Sequence, residues 1–279
     1  MTDEQAIGMW MGLFIGDAAG VPYEFMPPSE DNSYTFFSSG GAHKAAVGEW
    51  SDDGAMALAI AEAYLEAGKF DASIIQQNFL DWMRTGKYGT REGEPAWDIG
   101  MTVMGALNRV RNINHPYTSS TSVMSSGNGC IMRLAPTVIW NRHNLSAAIG
   151  ESVAQALLTH GSSDCITYTA ALAHELWEGK PLPQYDHLRD RPIQNTGYVA
   201  DTYTSAWHSV MSTNSFEEAI INAINKGDDA DTVGAVTGMI AGRMNYTDHK
   251  APRTLLRQAH MENVIKHLLK CKSCLIPSS

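Results

Sequence analysis

Apolar residues recur along this chain mainly with the 3.6-residue period of an α-helix. One stripe comprises Ala57, Ile60, Ala61 and Tyr64, at positions i, i+3, i+4 and i+7. The same spacing recurs in two later segments, at Ile166, Ala170, Ala173 and Trp177 and at Val233, Val236, Ile240 and Met244. Runs with strand-like character are short, and prolines interrupt the first of them, near residues 21–25. The pattern predicts an all-α protein of many helices.

Two helix starts and four loops can be placed within this pattern. Thr2–Gln5 and Ser215–Glu218 have the spacing of a capping box, in which two side chains satisfy exposed N–H groups. Segments rich in Gly, Pro, Ser and Asn predict loops at about residues 21–49, 86–96, 112–130 and 180–197. Long loops in a helical protein often carry functional residues, so the candidate chemistry is sought there.

The length of 279 residues favours one hydrophobic core over two. We therefore expect a single domain over residues 1–279. Its motif-bearing core spans about 4–246, and a C-terminal helix and tail follow at 247–279.

Composition and charge exclude some classes of partner. Hydrophobic residues make up 44% of the chain and charged residues 18%, as in ordinary globular proteins. The net charge of -10 argues against binding a nucleic-acid backbone, which needs clustered Lys and Arg. A small ligand that carries phosphates stays compatible with this charge, because metal ions and backbone N–H groups can supply a positive field.

The start of the chain and its cysteines bear on location. Met1–Glu4 is acidic where a signal peptide is basic, and no uncharged apolar stretch reaches membrane-spanning length. The four cysteines form no disulfide framework, and Cys271 and Cys274 are a single CxxC pair, a weak signal for zinc or redox chemistry. We expect a cytoplasmic protein without membrane contact, and a monomer.

Two acidic clusters, far apart in sequence, are the strongest chemical signal. Ser51, Asp52 and Asp53 form the first cluster, and Asp228, Asp229, Asp231 and Thr232 form the second. Carboxylates and hydroxyls suit Mg²⁺ or Mn²⁺ and suit zinc poorly. If the fold joins the clusters, they supply enough oxygens for two ions, an arrangement that activates water and orients substrate. Each cluster alone is also explained as a capped helix start with acids in its first turn, but that explanation gives no reason for the pair.

Two further acids lie at loop positions. Glu24 projects from a segment constrained by prolines, where a plain surface acid is the alternative to a functional one. Asp98 lies among apolar neighbours just before Gly100, at a boundary between a loop and a helix. Burial there would raise the pKa of its carboxyl, and a simple helix cap is the alternative.

A small-residue loop and two ring side chains complete the candidates. Gly127, Asn128 and Gly129 precede an apolar helical run, where N–H groups can bind a diphosphate; a plain glycine-rich turn is the alternative. His160 ends one helix pattern and is either structural or a ligand contact. Tyr198 can stack on a base or belong to the core.

The order of these motifs resembles the ADP-ribosylglycohydrolase family, from the Gly16–Glu24 segment to the Gly227–Thr232 segment. The resemblance implies an all-α orthogonal multi-helical bundle with a binuclear Mg²⁺ or Mn²⁺ centre in a cleft. Its metal ligands correspond to Ser51, Asp52, Asp53, Asp229, Asp231 and Thr232. Two positions depart from the family pattern. Gly54 replaces a threonine, and Asp228 replaces a usual glycine, so that its carboxylate either alters metal affinity or faces solvent.

The resemblance also implies roles for the remaining candidates. Glu24, Asp98 and Asp229 correspond to catalytic positions. For substrate binding, the resemblance implies that Gly127, Asn128 and Gly129 form the diphosphate loop and that His160 lies near the adenosine ribose. Tyr198 corresponds to the aromatic at the adenine, and Gly100 is the glycine of the Asp-Ile-Gly motif.

The implied reaction is hydrolysis of the bond between C1″ of ADP-ribose and an acceptor. The partner would be an ADP-ribosylated protein or a small molecule that contains ADP-ribose. Asp98 in its Asp-Ile-Gly context favours ADP-ribosyl-arginine as the substrate. The alternatives are another linkage (serine, a nucleobase or a small metabolite), a non-catalytic ADP-ribose-binding or structural relative, and a helical interaction protein.

Overall fold

The computed structural model describes residues 1–113, 115–244 and 255–273, and helices account for all regular structure in these ranges. The helices are α1 Asp3–Gly20, α2 Asp52–Ala67, α3 Ala72–Thr85, α4 Met101–Ile113, α5 Ala135–Trp140, α6 Leu145–Ala156, α7 Ser163–Glu178, α8 Asp186–Arg189, α9 Val199–Met211, α10 Phe216–Ile224, α11 Ala230–Arg243 and α12 Gln258–Ser273. Apart from isolated bridges, the described residues contain no strand. The all-α prediction is confirmed.

Helices α1 and α11 lie together with their backbones in direct contact. Glycines recur every fourth residue on both helices and face one another in antiparallel order, in the pairs Gly8–Gly242, Gly12–Gly238 and Gly16–Gly234. A Cβ atom at any of these positions would overlap the carbonyl oxygen of the facing glycine. Only glycine allows this approach. The pairing brings the end of α1, at Gly20, against the start of α11, at Ala230.

Helix α2 begins beside this pair and is buried along most of its length. The rings of Phe14 and Trp50 meet edge to face at 5.2 Å, and both lie over Gly54. A Cβ atom at Gly54 would come within 2.7 Å of Trp50 and 2.8 Å of Phe14. The two rings therefore leave no room for the threonine that the family pattern has at this position.

Both predicted helix starts are present. The capping box of α1 is complete, whereas in that of α10 one hydrogen bond has a different partner. Thr2 and Gln5 form a reciprocal capping box at the start of α1. At the start of α10, Ser215 accepts from the Glu218 N–H at 3.1 Å, but the Glu218 carboxylate accepts from the Asn214 N–H instead of the Ser215 N–H. The loop predicted at 180–197 contains the short helix α8, whose Arg189 is paired with the buried Glu175.

The C-terminal helix packs against the body of the protein near the first acidic cluster. Trp10 Nε1 donates to the Met261 carbonyl at 3.0 Å, and Trp50 Nε1 donates to the Leu256 carbonyl at 2.9 Å. The boundary proposed at 246/247 and the second cysteine of the CxxC pair, Cys274, lie outside the described residues. None of the helices in the described ranges is long and apolar enough to cross a membrane.

Candidate metal centre and substrate cleft

A cleft of about 440 Å³ opens where the end of α1 meets the starts of α2, α4 and α11. Most of the residues singled out from the sequence line it. These are Glu24, Asp52, Asp98, Gly100, Gly127, Asn128, Gly129, His160, Asp229, Asp231 and Thr232. Ser51, Asp53 and Tyr198 do not belong to the lining, although Ser51 and Asp53 are buried next to Asp52 at the start of α2.

We give the name helix wall to a buried group at the ends of three helices: Asp52 and Asp231, which line the cleft, with Asp17, Ser51 and Asp53 buried beside them. Carboxylate oxygens of Asp17, Asp53 and Asp231 all lie within 4.8 Å of one another, and all three residues are buried. The fold thus joins the two acidic clusters. Sequence analysis missed Asp17; its signal was a single acid in the otherwise apolar stretch of α1.

Burial and mutual repulsion disfavour the ionised forms of the aspartates in the helix wall. Desolvation and the charges of neighbouring acids raise the pKa of Asp52, Asp53 and Asp231 well above the usual range for an aspartate. Asp53 Oδ1 is buried and has no hydrogen-bond partner among the described residues. A divalent cation would satisfy the free oxygen and offset the repulsion, and oxygen-only ligands suit Mg²⁺ or Mn²⁺. The donor set therefore fits the metal that the sequence predicts.

Asp17 holds the start of α2 in place. Its carboxylate accepts from the Ser51 N–H at 2.8 Å and from the Gly54 N–H at 3.0 Å. Burial raises the pKa of Asp17 to about 8, although the two backbone hydrogen bonds act in the opposite direction. Ser51 is the N-cap of α2, so the helix-cap interpretation of this cluster is also correct. Capping and metal binding are compatible, because a hydroxyl oxygen can both accept from an N–H and face a cation.

The second cluster differs from an ordinary helix start. Asp229 occupies the N-cap position of α11, but its side chain makes no capping hydrogen bond. Its Oδ2 instead accepts from Asn128 Nδ2 at 2.7 Å, and Asn128 Nδ2 also donates to Thr202 Oγ1 at 2.9 Å. The Asp229 carboxylate is therefore held towards the cleft and is joined to the loop at 127–129.

That loop is fixed by backbone pairing with the segment before α9. The Asn128 N–H donates to the Gly197 carbonyl at 3.0 Å, and the Val199 N–H donates to the Ser126 carbonyl at 3.0 Å. The Asn128 N–H is thus engaged and is not a donor for an anion, unlike the simple loop expectation. The cleft also meets the side-chain amide of Asn128, which lies against Asp229.

His160 packs directly beneath the loop. A Cβ atom at Gly129 would lie 2.8 Å from the His160 ring, so the close contact requires glycine there. Burial and the charge of Arg133 lower the pKa of His160 to about 3, which keeps the imidazole neutral. Thr159 Oγ1 accepts from Arg133 at 2.7 Å and lies within hydrogen-bond distance, 2.8 Å, of His160 Nδ1. The other ring nitrogen, Nε2, faces the loop.

Tyr198 lies next to the loop but outside the cleft lining. Its hydroxyl donates to Asp164 Oδ2 at 2.8 Å, and the guanidinium of Arg191 stacks over its ring at 5.2 Å. The ring is partly buried and packs against the core, with one part left accessible beside the loop.

A second group of lining residues, which we call the loop wall, consists of Glu24, Phe25, Asp98 and Asp228. Three of these residues adopt left-handed backbone conformations, with φ of 62° at Phe25 and 53° at both Asp98 and Asp228. The Phe25 N–H donates to the Asp228 carbonyl at 2.7 Å, and the Asp228 N–H donates to the Met26 carbonyl at 2.8 Å. Such backbones are costly outside glycine, and they recur at functional sites.

The acids of the loop wall meet at a histidine that sequence analysis missed. His43 Nε2 lies 2.7 Å from Glu24 Oε2 and 3.7 Å from Asp98 Oδ1. Burial and the charge of Glu24 raise the pKa of Asp98 to about 7, and burial also raises the pKa of Glu24. Only its position in a predicted loop could have drawn attention to His43, because no spacing pattern includes it.

The sequence left open whether Asp98 caps α4 and whether Asp228 faces solvent, and the structure answers both questions. The first helical bond of α4 is accepted by the Gly100 carbonyl, from the Met104 N–H at 2.9 Å, so the carboxylate of Asp98 does not cap this helix. One Asp98 oxygen is buried without a hydrogen-bond partner among the described residues. The side chain of Asp228 is exposed at the rim of the cleft, and the pKa of its carboxyl is raised by partial burial and by Asp229.

Comparison with known proteins gives the same family along nearly the whole chain. The family model described as ADP-ribosylglycohydrolase matches residues 1–270. A solved structure titled ADP-ribosylglycohydrolase-related protein complex superimposes with a TM-score of 0.83 and 27% identity, over 96% of this chain and 98% of that chain.

Characterised relatives are similar over most of their length. The ADP-ribosylarginine hydrolase Tri1 of Pseudomonas putida is 33% identical, over 95% of this chain and 78% of the relative. The protein of the same name from Serratia proteamaculans is 31% identical, with 95% and 79% covered. The ADP-ribosyl-[dinitrogen reductase] glycohydrolase of Rhodospirillum rubrum is 26% identical, with 86% and 85% covered.

Proposed function

The chain belongs to the ADP-ribosylglycohydrolase family, and from that premise we propose that it hydrolyses the bond between ADP-ribose and an arginine side chain of a modified protein. Two relatives that are 31% and 33% identical are named ADP-ribosylarginine hydrolases. The observation that carries the proposal is the convergence of acids on one cleft of about 440 Å³, where the buried acids of the helix wall lie close to Glu24 and Asp98.

The residues proposed to hold two Mg²⁺ or Mn²⁺ ions are Ser51, Asp52, Asp53, Asp229, Asp231 and Thr232. The unpartnered oxygen of Asp53 and the raised pKa values of Asp52, Asp53 and Asp231 support this assignment. Bound divalent ions supply Lewis-acid activation of water and orient the hydroxyls of a ribose. We propose Mg²⁺ or Mn²⁺ as the ion because all of the proposed ligands are oxygen atoms.

Bond cleavage at C1″ is proposed to depend on the loop wall. As the bond between C1″ and the guanidinium nitrogen breaks, the electron pair leaves with nitrogen and the ribose gains oxocarbenium character. Asp98, whose pKa is raised to about 7 by burial and by Glu24, is partly protonated near neutral pH and can donate its proton to the departing nitrogen. Glu24 accepts a hydrogen bond from His43, which favours its charged form and allows it to stabilise the cationic ribose.

The water that attacks C1″ is proposed to be oriented by Asp229. Its Oδ2 is fixed by Asn128 Nδ2, and the other oxygen of the carboxylate has two lone pairs, enough for the proposed metal contact and for a hydrogen bond from the water. The oxygen of the water joins C1″, and its proton passes to a carboxylate. Atoms and charge therefore balance, with ADP-ribose and a free arginine side chain as the products.

The remainder of ADP-ribose is proposed to lie along the loop at 127–129. His160 is proposed to be the Nε2–H tautomer, whose N–H faces the loop and is a donor suited to the diphosphate or the adenosine ribose. Gly127 and Gly129 allow the ligand to approach closely, Gly100 borders the cleft at the start of α4, and Tyr198 is proposed to contact the adenine.

The test of this function is release of ADP-ribose from an ADP-ribosyl-arginine substrate, with Mg²⁺ or Mn²⁺ and with EDTA. We expect metal-dependent release, and a loss of about 100-fold or more in Asp231→Asn, because one buried ligand would be lost. Asp190→Asn, an exposed acid outside the cleft, is the matched control and should keep full activity. Release from ADP-ribosyl-serine alone would assign another linkage, and binding of ADP-ribose without any release would make the chain a non-catalytic relative.

We also propose that the protein acts as a monomer and a single domain in the cytoplasm. The free thiols of Cys130 and Cys165, both buried and close enough to interact, support a reducing compartment. Light scattering tests the first point, and fractionation of cells tests the last.

A further inference from the structure

His43 lies close to two acids of the loop wall, Glu24 and Asp98, from outside the cleft lining. Its Nε2 lies 2.7 Å from Glu24 Oε2 and 3.7 Å from Asp98 Oδ1. Glu24 and Asp98 both line the cavity, whereas His43 is not among the described residues that line it. Its side chain is 19% exposed. From this position the imidazole faces the two carboxylates and not the substrate, so any effect on catalysis must pass through Glu24 or Asp98.

The ring is held on its far side by aromatic and cationic side chains. It packs against the Trp97 ring at 5.1 Å, and the Arg91 guanidinium covers Trp97 at 4.4 Å. Phe25 of the loop wall lies 6.1 Å from the imidazole. Trp97 immediately precedes Asp98, so the same contact fixes the histidine and the backbone that carries one of its acids.

The backbone that carries His43 is anchored as firmly as its ring. Gly40 and Ala45 pair through two hydrogen bonds of 2.8 Å, which close a tight turn around the histidine. Arg91 donates to the His43 carbonyl at 3.0 Å and forms two hydrogen bonds to the buried Glu49, of 2.7 and 3.1 Å. Glu49 in turn accepts from the Ala46 N–H at 2.8 Å. An anchored imidazole can impose a position on its partners, which a mobile side chain cannot.

Glu24 and Asp98 need such a partner because their charges repel. Each stands close enough to raise the energy of the other when both are ionised, and neither has a lysine or arginine against its carboxylate among the contacts of the described chain. One imidazole N–H between them reduces this repulsion and fixes the distance between the two acids.

We propose that His43 is a positioning residue that holds Glu24 and Asp98 in the relative arrangement that bond cleavage requires. The inference rests on the proposed function of the cleft. It differs from that proposal because it assigns a role to a residue outside the lining of the cavity, and because the proposed function can hold even if His43 has no such role.

The first test compares His43→Ala and His43→Gln in hydrolysis of ADP-ribosyl-arginine. In His43→Ala, kcat should fall by about 10- to 100-fold, the range for loss of a supporting hydrogen bond, while the Kd for ADP-ribose changes by less than about twofold. His43→Gln retains an N–H donor at similar reach and should recover a large part of kcat. His174→Ala, which removes a histidine bonded to Tyr185 far from the cleft, is the matched control and should leave kcat unchanged.

The second test is a double-mutant cycle with Glu24→Gln. Because His43 acts through its partners, His43→Ala should reduce kcat far less in the Glu24→Gln background than in the wild type. Metal content and thermal stability are measured for every variant. Equal losses in both backgrounds, an unchanged kcat in His43→Ala, or loss of bound metal from that variant would each overturn the positioning role.

Different results would contradict the proposed hydrolase function and the positioning role of His43. A wild-type protein that releases no ADP-ribose contradicts the proposed function, whatever His43 does. A wild-type protein that is active, together with an equally active His43→Ala, contradicts only the role of His43.

Discussion

The two walls of the cleft are built in different ways. In the helix wall, acids lie at the ends of α1, α2 and α11, and facing glycines hold two of these helices in backbone contact. In the loop wall, three of four residues adopt left-handed backbones, and hydrogen bonds between distant loops hold them. The helix wall is therefore set by packing of rigid elements, whereas the loop wall depends on a few local interactions.

This difference in construction suggests that the helix wall binds metal and that the loop wall recognises the acceptor and transfers protons. Metal binding needs several oxygens at fixed separations, and helix ends in a packed core provide them. Recognition of the acceptor and proton transfer need side chains that respond to substrate, and loops provide these. Changes in the helix wall should therefore affect folding and metal binding together. Changes in the loop wall should affect catalysis while the protein stays folded.

The largest expected effect concerns the glycine pairing behind the helix wall. In Gly12→Ala, the new Cβ would overlap the Gly238 carbonyl, so α1 and α11 must separate. We expect the free energy of unfolding to fall by about 3 kcal/mol or more, as for severe overpacking. Chemical denaturation measures this change.

A matched glycine serves as the control for that substitution. Gly150 lies in α6 and is exposed, and a Cβ atom added there would meet no other atom within 4 Å. Gly150→Ala should raise the free energy of unfolding by about 0.5 to 1 kcal/mol, because alanine favours the helix. Similar stabilities for Gly12→Ala and Gly150→Ala would show that the close helix contact is unimportant.

A smaller effect is expected at His160, which packs beneath the loop at 127–129. Its pKa is about 3 in the folded protein and near 6.5 when exposed, so the unfolded chain binds the extra proton between these values. Stability from this group is present above pH 6.5 and is lost as the pH falls. Between pH 6.5 and 5.5 the wild type should lose about 1 kcal/mol through His160.

His160→Gln cannot take up that proton, so its stability should change less over the same interval. The comparison uses denaturation at pH 6.5 and 5.5 for both proteins. Equal pH dependence would mean that the imidazole is charged, or exposed, in the folded protein.

The smallest effect is expected at Asp228 on the rim of the loop wall. Its carboxylate is exposed, and glycine tolerates the φ of 53° at this position. Asp228→Gly should therefore change metal affinity by less than about threefold and stability by less than about 0.5 kcal/mol, as for most surface changes. A tenfold loss of metal affinity in calorimetry would instead make Asp228 a contributor to the metal centre.

Sequence reasoning predicted the helix wall better than the loop wall, for physical reasons. The acids at Ser51–Asp53 and Asp229–Thr232 stand at helix starts, where short motifs have fixed geometry. The spacing of one glycine every four residues in α1 and α11 was also visible in the sequence. It predicts a close helix contact only once it is known that these two helices pair with each other. Asp17 was overlooked for the same reason, since its partners are 34 and 37 residues away.

The loop wall depends on contacts that no local pattern encodes. His43 reaches Glu24 and Asp98 because Arg91, Glu49 and Trp97 hold its loop, and these residues are spread over about fifty positions. The loop at 127–129 lines the cleft, but the pairing of Asn128 with Gly197 engages one of the N–H donors that the anion-loop prediction relied on. Backbone pairing between distant loops cannot be read from composition or periodicity.

The most direct test of the division between the walls is Mn²⁺ binding by calorimetry, measured beside hydrolysis of ADP-ribosyl-arginine, for Asp53→Asn and Asp98→Asn. We predict that Asp53→Asn loses both metal binding and hydrolysis. Asp98→Asn should bind Mn²⁺ within about threefold of the wild type and lose hydrolysis by about 100-fold. Equal loss of Mn²⁺ binding in both variants, or unchanged Mn²⁺ binding in Asp53→Asn, would contradict the account.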